Sequence, residues 1–205
     1  MTGQTFAGVD VSRETLDRLR AYADLLAKWN SKINLVAPAT IPTLWQRHIE
    51  DSAQVFGLAP QTVTHWVDLG SGGGLPGVVC AIIAAEHMPD CRFTLIESDK
   101  RKSAFLMVVA RELGLGFTVL DQRAEGVLPL GAGVVSARAL APLPQLLTWV
   151  KRHVAEGGIA LLPKGKTWEE EVDAARADWQ FDVIPHISQT DPAARLLEIK
   201  ELSRV

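Results

Sequence analysis

The residues most able to do chemistry form one stretch, Asp68-Leu69-Gly70-Ser71-Gly72-Gly73-Gly74-Leu75-Pro76-Gly77. An apolar run from Val63 to Leu69 before it reads as a short buried strand. Val78 to Ala85 after it continues as an apolar helical face. Strand, glycine turn and helix make the opening unit of a nucleotide-binding α/β sheet. Glycines serve there because the loop takes φ > 0 and presses its backbone close to a ligand. Two patterns fit the loop. Gly72 to Gly77 matches G-x-G-x-x-G, the dinucleotide fingerprint. Asp68 to Gly74 matches D-x-G-x-G-x-G, the signature of class I methyltransferases that bind S-adenosyl-L-methionine. The second is favoured, because Asp68 stands where it would attract a cationic ligand end such as a methionyl ammonium and repel a pyrophosphate. No second catalytic domain for hydride chemistry is visible. The bland alternative, a glycine turn without a ligand, fits poorly with two correct flanks.

Other charged residues gather at the ends of the expected strands, where open α/β sheets bind ligands. Glu97 ends the strand Arg92 to Ile96, about twenty residues past the last glycine, and can accept hydrogen bonds from ribose hydroxyls. Arg123-Ala124-Glu125 follows the strand Phe117 to Leu120, at the place that flanks an adenine ring. Arg138 follows the strand Gly133 to Ser136, and Lys164 follows Ile159 to Leu162. Acids on the early strands and bases on the later ones suit a cofactor on one half and a phosphate-bearing substrate on the other. Lys100-Arg101-Lys102 reads as a solvated helix start or an RNA-facing rim.

Arg47, His48, Asp51 and Ser52 fall within two turns, so Arg47 can pair with Asp51, and His48 can reach Asp51 or Ser52. A hydrolase reading is discounted. One helix does not place His between Ser and Asp, and no glycine-bounded nucleophile turn surrounds Ser52. A polar helix face docked on the sheet and a substrate-contacting role both remain open. The methyl acceptor is narrowed by residue types. Cys80 and Cys91 do not follow the fourth strand, as cytosine C5 methylation requires. Ser136-Ala137-Arg138 stands where exocyclic adenine methylation carries an Asp/Asn-Pro-Pro-aromatic signature. A ring nitrogen with a free lone pair, such as guanine N7, needs no general base.

The elements that position these residues follow from periodicity. Residues 1–11 read as a loose end. Ser12 caps a helix carrying Leu16, Leu19, Tyr22, Ala23, Leu26 and Trp29, which ends near Asn30. Thr40 is expected to cap a second helix with Pro42 in its first turn. Helices are further expected over Ala104 to Leu113, Pro144 to Val154 and 168–178. Gly157-Gly158 should punctuate before the fifth strand, and Phe181 to Ile187 should pair with Leu196 to Leu202 as a hairpin. The fold class is therefore α/β: a Rossmann-like class I methyltransferase with a seven-stranded, mostly parallel sheet and helices on both faces. Residues 1–58 form an N-terminal helical extension packed on a methyltransferase domain of residues 59–205. At 205 residues and 47% hydrophobic, the chain can bury a real core in one structural unit. Two cysteines without metal spacing suit a reducing cytoplasm, and no metal site is expected. There is no signal peptide pattern and no membrane-length apolar run. The net charge of −3 does not advertise nucleic-acid binding, but a local basic patch suffices.

These residues together resemble the glucose-inhibited division protein B (RsmG) family of 16S ribosomal RNA guanine-N7 methyltransferases. The resemblance rests on Trp29-Asn30 with Ile33-Asn34-Leu35, Arg47-His48 with Asp51-Ser52, Asp68 to Gly77, Lys100-Arg101, Arg123-Ala124-Glu125, Ser136-Arg138-Ala139 and Lys164-Gly165. It implies contacts to S-adenosyl-L-methionine (product S-adenosyl-L-homocysteine) from Gly70, Leu75, Ala124, Glu125 and Arg138. The loop reading adds Asp68, Gly72, Gly74 and Glu97. Leu75 stands where relatives often have an aromatic, and Glu97 where they often have Asp. Arg47, His48, Arg123, Arg138 and Lys164 are the expected RNA contacts, with Arg138 and Lys164 positioning the reactants and no residue assigned as general base. The resemblance also implies a monomeric cytoplasmic enzyme whose partner is the small ribosomal subunit, away from membranes. Two other readings stay in view: a methyltransferase for small molecules or proteins, and an NAD-dependent oxidoreductase. A non-catalytic nucleotide-binding protein is the third.

Overall fold

A computed structural model describes residues 4–205. The chain runs β1 (Gln4–Phe6), β2 (Val9–Val11), α1 (Arg13–Asn30), α2 (Asp51–Phe56), β3 (His65–Leu69), α3 (Gly77–His87), β4 (Arg92–Ile96), α4 (Lys100–Leu113), β5 (Thr118–Leu120), β6 (Ala132–Ala137), α5 (Leu143–His153), β7 (Val154–Lys164), α6 (Trp168–Ala175), β8 (Trp179–Ile187) and β9 (Arg195–Arg204). Seven strands form one sheet in the order β5-β4-β3-β6-β7-β9-β8. The first five are parallel, and β9 and β8 add antiparallel at one edge. The chain builds outward from β3 to β5, then returns to the other side of β3 with β6. The topological switch point, where such sheets bind ligands, therefore lies between β3 and β6.

Both faces of the sheet are covered, so its central strands are mostly apolar and buried. Side chains alternate across the pleat. Trp66 and Val134 point to the face covered by α1, α3 and α4, while Val67, Leu69 and Val135 point to the face covered by α5 and α6. α1 packs Leu16, Leu19, Tyr22 and Leu26 into the same core as the central strands. Ser12 caps α1, its hydroxyl accepting from the Thr15 amide at 3.2 Å.

Three expectations need correction. Gln4–Phe6 and Val9–Val11 form an antiparallel hairpin rather than a loose end. Ala7 and Gly8 turn it with φ of 48° and 82°, a backbone that matches strand twist. Residues 1–3 of that stretch lie outside the described residues. Thr40 does not cap a helix. It sits inside a 3-10 stretch, Pro38–Thr43, followed by a π-helical stretch, Trp45–Glu50, before α2 begins. Pro42 has no amide hydrogen to give, which disfavours a regular α-helix there. Gly157-Gly158 does not interrupt β7 but lies within it. The β6–β7 register shifts nearby, between Ala132 and Val134.

Candidate active site

A cleft of about 970 Å³ opens at the carboxyl ends of β3, β6 and β7. Its floor is Gly70 to Gly73 with Leu75. Leu35, Val36, Arg47, His48 and Asp51 form one side, Arg138 to Pro142 and Lys164 another, and the Ser188–Ala194 region a third.

The glycine loop is braced from beneath and from both flanks. Gly72 N donates to Glu97 Oε2 at 2.8 Å, and Asp99 N donates to Glu97 Oε1 at 2.7 Å. Glu97 thus ties the loop after β3 to the loop after β4. Each of its oxygens keeps a second lone pair for a ligand hydroxyl. The Tyr22 hydroxyl donates to the Gly73 carbonyl from within the core. A Cβ on Gly72 would meet only the Gly70 carbonyl oxygen at 3.7 Å, so this backbone is open to a ligand.

Asp68 is not where a direct contact with a methionyl ammonium requires it. It is 1% exposed and does not line the cleft. Its Oδ1 accepts from Ser136 Oγ at 2.6 Å, and Ser136 Oγ accepts from Trp66 Nε1 at 2.9 Å. Oδ2 is buried and has no hydrogen-bond partner among the described residues. Asp68 therefore joins β3 to β6 at the switch point, one layer below the loop. Burial pushes its carboxyl up to about 6, against the pull of the Ser136 hydroxyl.

That elevation has a sign. Between pH about 4 and 6 the folded protein holds a proton on Asp68 that the unfolded chain has released. The contribution to stability is full below pH 4 and is lost as pH rises through 6. Moving this carboxyl from 3.8 to about 6 corresponds to about 3 kcal/mol. Asp68→Asn has no such titration. Its urea midpoint relative to the native chain is expected to rise between pH 4.5 and pH 7.

Ala124, Glu125 and Arg123 lie beyond β5 and do not line this cleft. Ala124 is buried, and its carbonyl is 2.9 Å from Nε2 of the fully buried His153. Arg123 and Glu125 are exposed. Gly74 lies behind the loop, against Val78 and Tyr22. Of the expected cofactor residues, the cleft itself brings together Gly70, Gly72, Leu75 and Arg138, with Glu97 directly behind Gly72.

Of the expected RNA contacts, Arg47, His48, Arg138 and Lys164 line the cleft, and none of the four is a free cation. Lys164 is 9% exposed. Its Nζ donates to Glu171 Oε2 at 2.7 Å and to the Ala141 carbonyl at 3.0 Å. Glu171 also accepts from the Leu143 amide at 2.8 Å, so Lys164 fastens β7, the start of α5 and α6. A lysine neutralised in this way is a strut. His48 is 8% exposed and bonds to Thr40 Oγ1 at 2.7 Å rather than to Asp51 or Ser52. Thr40 spends its own hydrogen on the Ala37 carbonyl, which makes His48 Nε2 the donor and leaves Nδ1 a bare lone pair. Burial, with Arg138 and Arg47 nearby, pushes His48 down to about 4, so it is neutral near pH 7.

The expected Arg47–Asp51 pair does not form. Arg47 reaches Asp191 at 3.4 Å, because Asp51 is already engaged by Arg138, Gln54 and Thr190. Ser52 is buried, and its hydroxyl meets no base among the described residues. Several contributors were not anticipated from the sequence. Tyr22 reads as one more apolar residue on α1. Asn30 accepts from the Leu35 and Val36 amides, both at 2.9 Å, and so shapes the segment that walls the cleft. The β8–β9 hairpin is the one expected from the sequence, but nothing local marks its turn, or Gln54, as part of the cleft.

Solved structures that resemble this one include methyltransferases. Mitomycin 7-O-methyltransferase MmcR superposes with a TM-score of 0.61 at 14% identity, over 91% of this chain and 67% of that chain. TYW2 of M. jannaschii, in complex with AdoMet, superposes with a TM-score of 0.56 at 13% identity, over 77% and 76%. The fold is that of a class I methyltransferase. The GidB family, described as rRNA small subunit methyltransferase G, matches residues 15–194, and the chain belongs to that family. Ribosomal RNA small subunit methyltransferase G of Ruegeria sp. (strain TM1040) is 52% identical over 197 residues, 96% of each chain. Its counterpart in Paramagnetospirillum magneticum is 51% identical over 194 residues, 95% of this chain and 92% of that protein.

Proposed function

We propose that this protein methylates N7 of a guanine in 16S ribosomal RNA, using S-adenosyl-L-methionine and leaving S-adenosyl-L-homocysteine. The observation that carries the reading is the glycine floor at the β3–β6 switch point, held open by Glu97 and facing Arg138. The residues fit such a cofactor. Gly70, Gly72 and Leu75 supply a bare backbone floor and an apolar contact. Glu97 has lone pairs for ribose hydroxyls, and Ala124 and Glu125, beyond β5 and outside the cleft lining, would take the adenine end. Arg138 has donors for the cofactor carboxylate or for the base. When bound, the cofactor supplies an already activated sulfonium methyl.

The chain's own part is positioning and exclusion of water. Leu35, Val36, Leu140 and Pro142 give apolar walls for a planar base. The carboxylates that line the cleft, Asp51, Glu171 and Asp191, are each held in ion pairs, and His48 is too weak a base at neutral pH. Guanine N7 carries no proton to remove, so it suits this set. RNA hides N7 in the deep major groove of a continuous helix, so the target is an unpaired or splayed-out guanine. Lys102 and Arg123 are the cations available to phosphates, and Arg47 joins them where a phosphate displaces Asp191. Monomeric, cytoplasmic action on the small ribosomal subunit belongs to the same reading, as does a division into an N-terminal extension and a catalytic domain.

Calorimetry with S-adenosyl-L-homocysteine and with NAD tests the cofactor. Binding of the first alone is expected. Binding of NAD alone would return the loop to the dinucleotide reading.

A further inference from the structure

The turn between β8 and β9 walls the cleft through Ser188, Asp191 and Ala194. It lies more than a hundred residues from α2 in sequence, yet side chains of α2 fasten it. Gln54 Nε2 donates to Ser188 Oγ at 3.2 Å, and the Gln189 amide donates to Gln54 Oε1 at 2.9 Å. Asp51 Oδ1 accepts from Thr190 Oγ1 at 2.8 Å and from Gln54 Nε2 at 2.9 Å. Asp51 Oδ2 accepts from Arg138 Nη1 at 3.4 Å. One carboxylate therefore meets both the tip of β6 and the β8–β9 turn.

The pair is sheltered. The side chains of Arg138 and Asp51 are 17% and 19% exposed, where salt screens a charge contact less than at the surface. Asp51 Oδ2 is the protein acceptor recorded for Arg138 among the described residues. A guanidinium has five N–H donors, so most remain for a ligand. The two oxygens of Asp51 face different duties. Oδ1 holds the Ser188–Ala194 wall of the cleft through Thr190 and Gln54. Oδ2 holds Arg138 just beyond β6.

We propose that Asp51 is a positioning residue that sets Arg138 and the Ser188–Ala194 turn in register from a single carboxylate. This deepens the function proposed above and rests on it. The two oxygens can be separated by substitution. Asp51→Asn keeps an oxygen for Thr190 and Gln54 and turns an NH2 group toward the guanidinium, so it releases Arg138 and keeps the turn. Thr190→Val removes the turn's hydroxyl bond and keeps the Arg138 pair.

The experiment measures three quantities on the full chain: the Kd of S-adenosyl-L-homocysteine, the KM for unmodified small-subunit RNA, and the urea midpoint. Asp51→Asn is expected to weaken S-adenosyl-L-homocysteine about tenfold, the scale of a lost charge-assisted hydrogen bond. Thr190→Val is expected to raise the RNA KM several-fold with the Kd unchanged. Asp51→Ala should do both, and adding Thr190→Val to it should raise the RNA KM no further, since that contact is already gone. The proposal is overturned if each variant shifts Kd and KM only in proportion to its loss of urea midpoint, the mark of a merely structural residue. It is also overturned if Asp51→Asn and Thr190→Val have the same profile. A native chain that methylates RNA while Asp51→Ala keeps both constants sinks this proposal alone. A native chain that neither binds the ligand nor methylates RNA sinks the functional reading and this proposal with it.

Discussion

Gly74→Val is expected to abolish cofactor binding and to cost the fold about 2–5 kcal/mol, the sum of left-handed strain and overpacking. Gly74 sits at φ 90°, which a β-branched residue does not adopt without strain. A Cβ there would lie 2.5 Å from Val78 Cγ2 and 2.9 Å from the Tyr22 hydroxyl. Neither neighbour can yield easily. Val78 is fully buried in the first turn of α3, and Tyr22 is fully buried with its hydroxyl committed to the adjacent Gly73 carbonyl. The loop must shift, and its ligand-facing amides shift with it. Gly116→Val is the control, because a Cβ at Gly116 meets nothing within 4 Å. Urea midpoints and calorimetry on both variants check the expectation. A Gly74→Val chain with native midpoint and native affinity would show that the loop tolerates rearrangement.

Glu97→Ala should weaken the cofactor by about a hundredfold while the fold survives. The carboxylate accepts two backbone amides, from Gly72 and Asp99, and each lost partner costs about 1–3 kcal/mol where water does not fully replace it. The ribose contacts are lost as well. Glu97→Gln should fall between, because one of its two terminal atoms becomes a donor facing a donor. Calorimetric affinities in the order native, Gln, Ala check this. Equal affinities would place the ribose elsewhere.

The loop was legible because its requirement is local. A run of glycines between an apolar strand and an apolar helix states a backbone conformation directly, and Gly70 to Gly73 with Leu75 form the floor of the cleft. The strands and main helices were legible for the same reason, through periods of two and 3.6. The β1–β2 hairpin was not, because three-residue strands carry too little pattern and Ala7-Gly8 is an unassertive turn. At Lys164, His48 and Asp68 the structure adds partners that the sequence does not show. A charged or polar residue at a strand tip looks like a ligand contact until its tertiary partner is known. Lys164 has Glu171, His48 has Thr40, and Asp68 has Ser136, and the sequence distance to each of these partners carries no period. Tyr22 was hidden in the opposite way. Its ring obeys the helical pattern of α1, and only its hydroxyl, at the far end, reaches the glycine loop.

The most direct test of the assigned reaction is chemical. N7-methylguanine, after borohydride reduction, makes an RNA strand cleavable by aniline. Small-subunit ribosomal RNA from a strain lacking this gene is expected to lose one such cleavage, and the purified protein with S-adenosyl-L-methionine is expected to restore it. A cleavage pattern that is identical with and without the gene would contradict the assignment of guanine N7, whatever the binding measurements show.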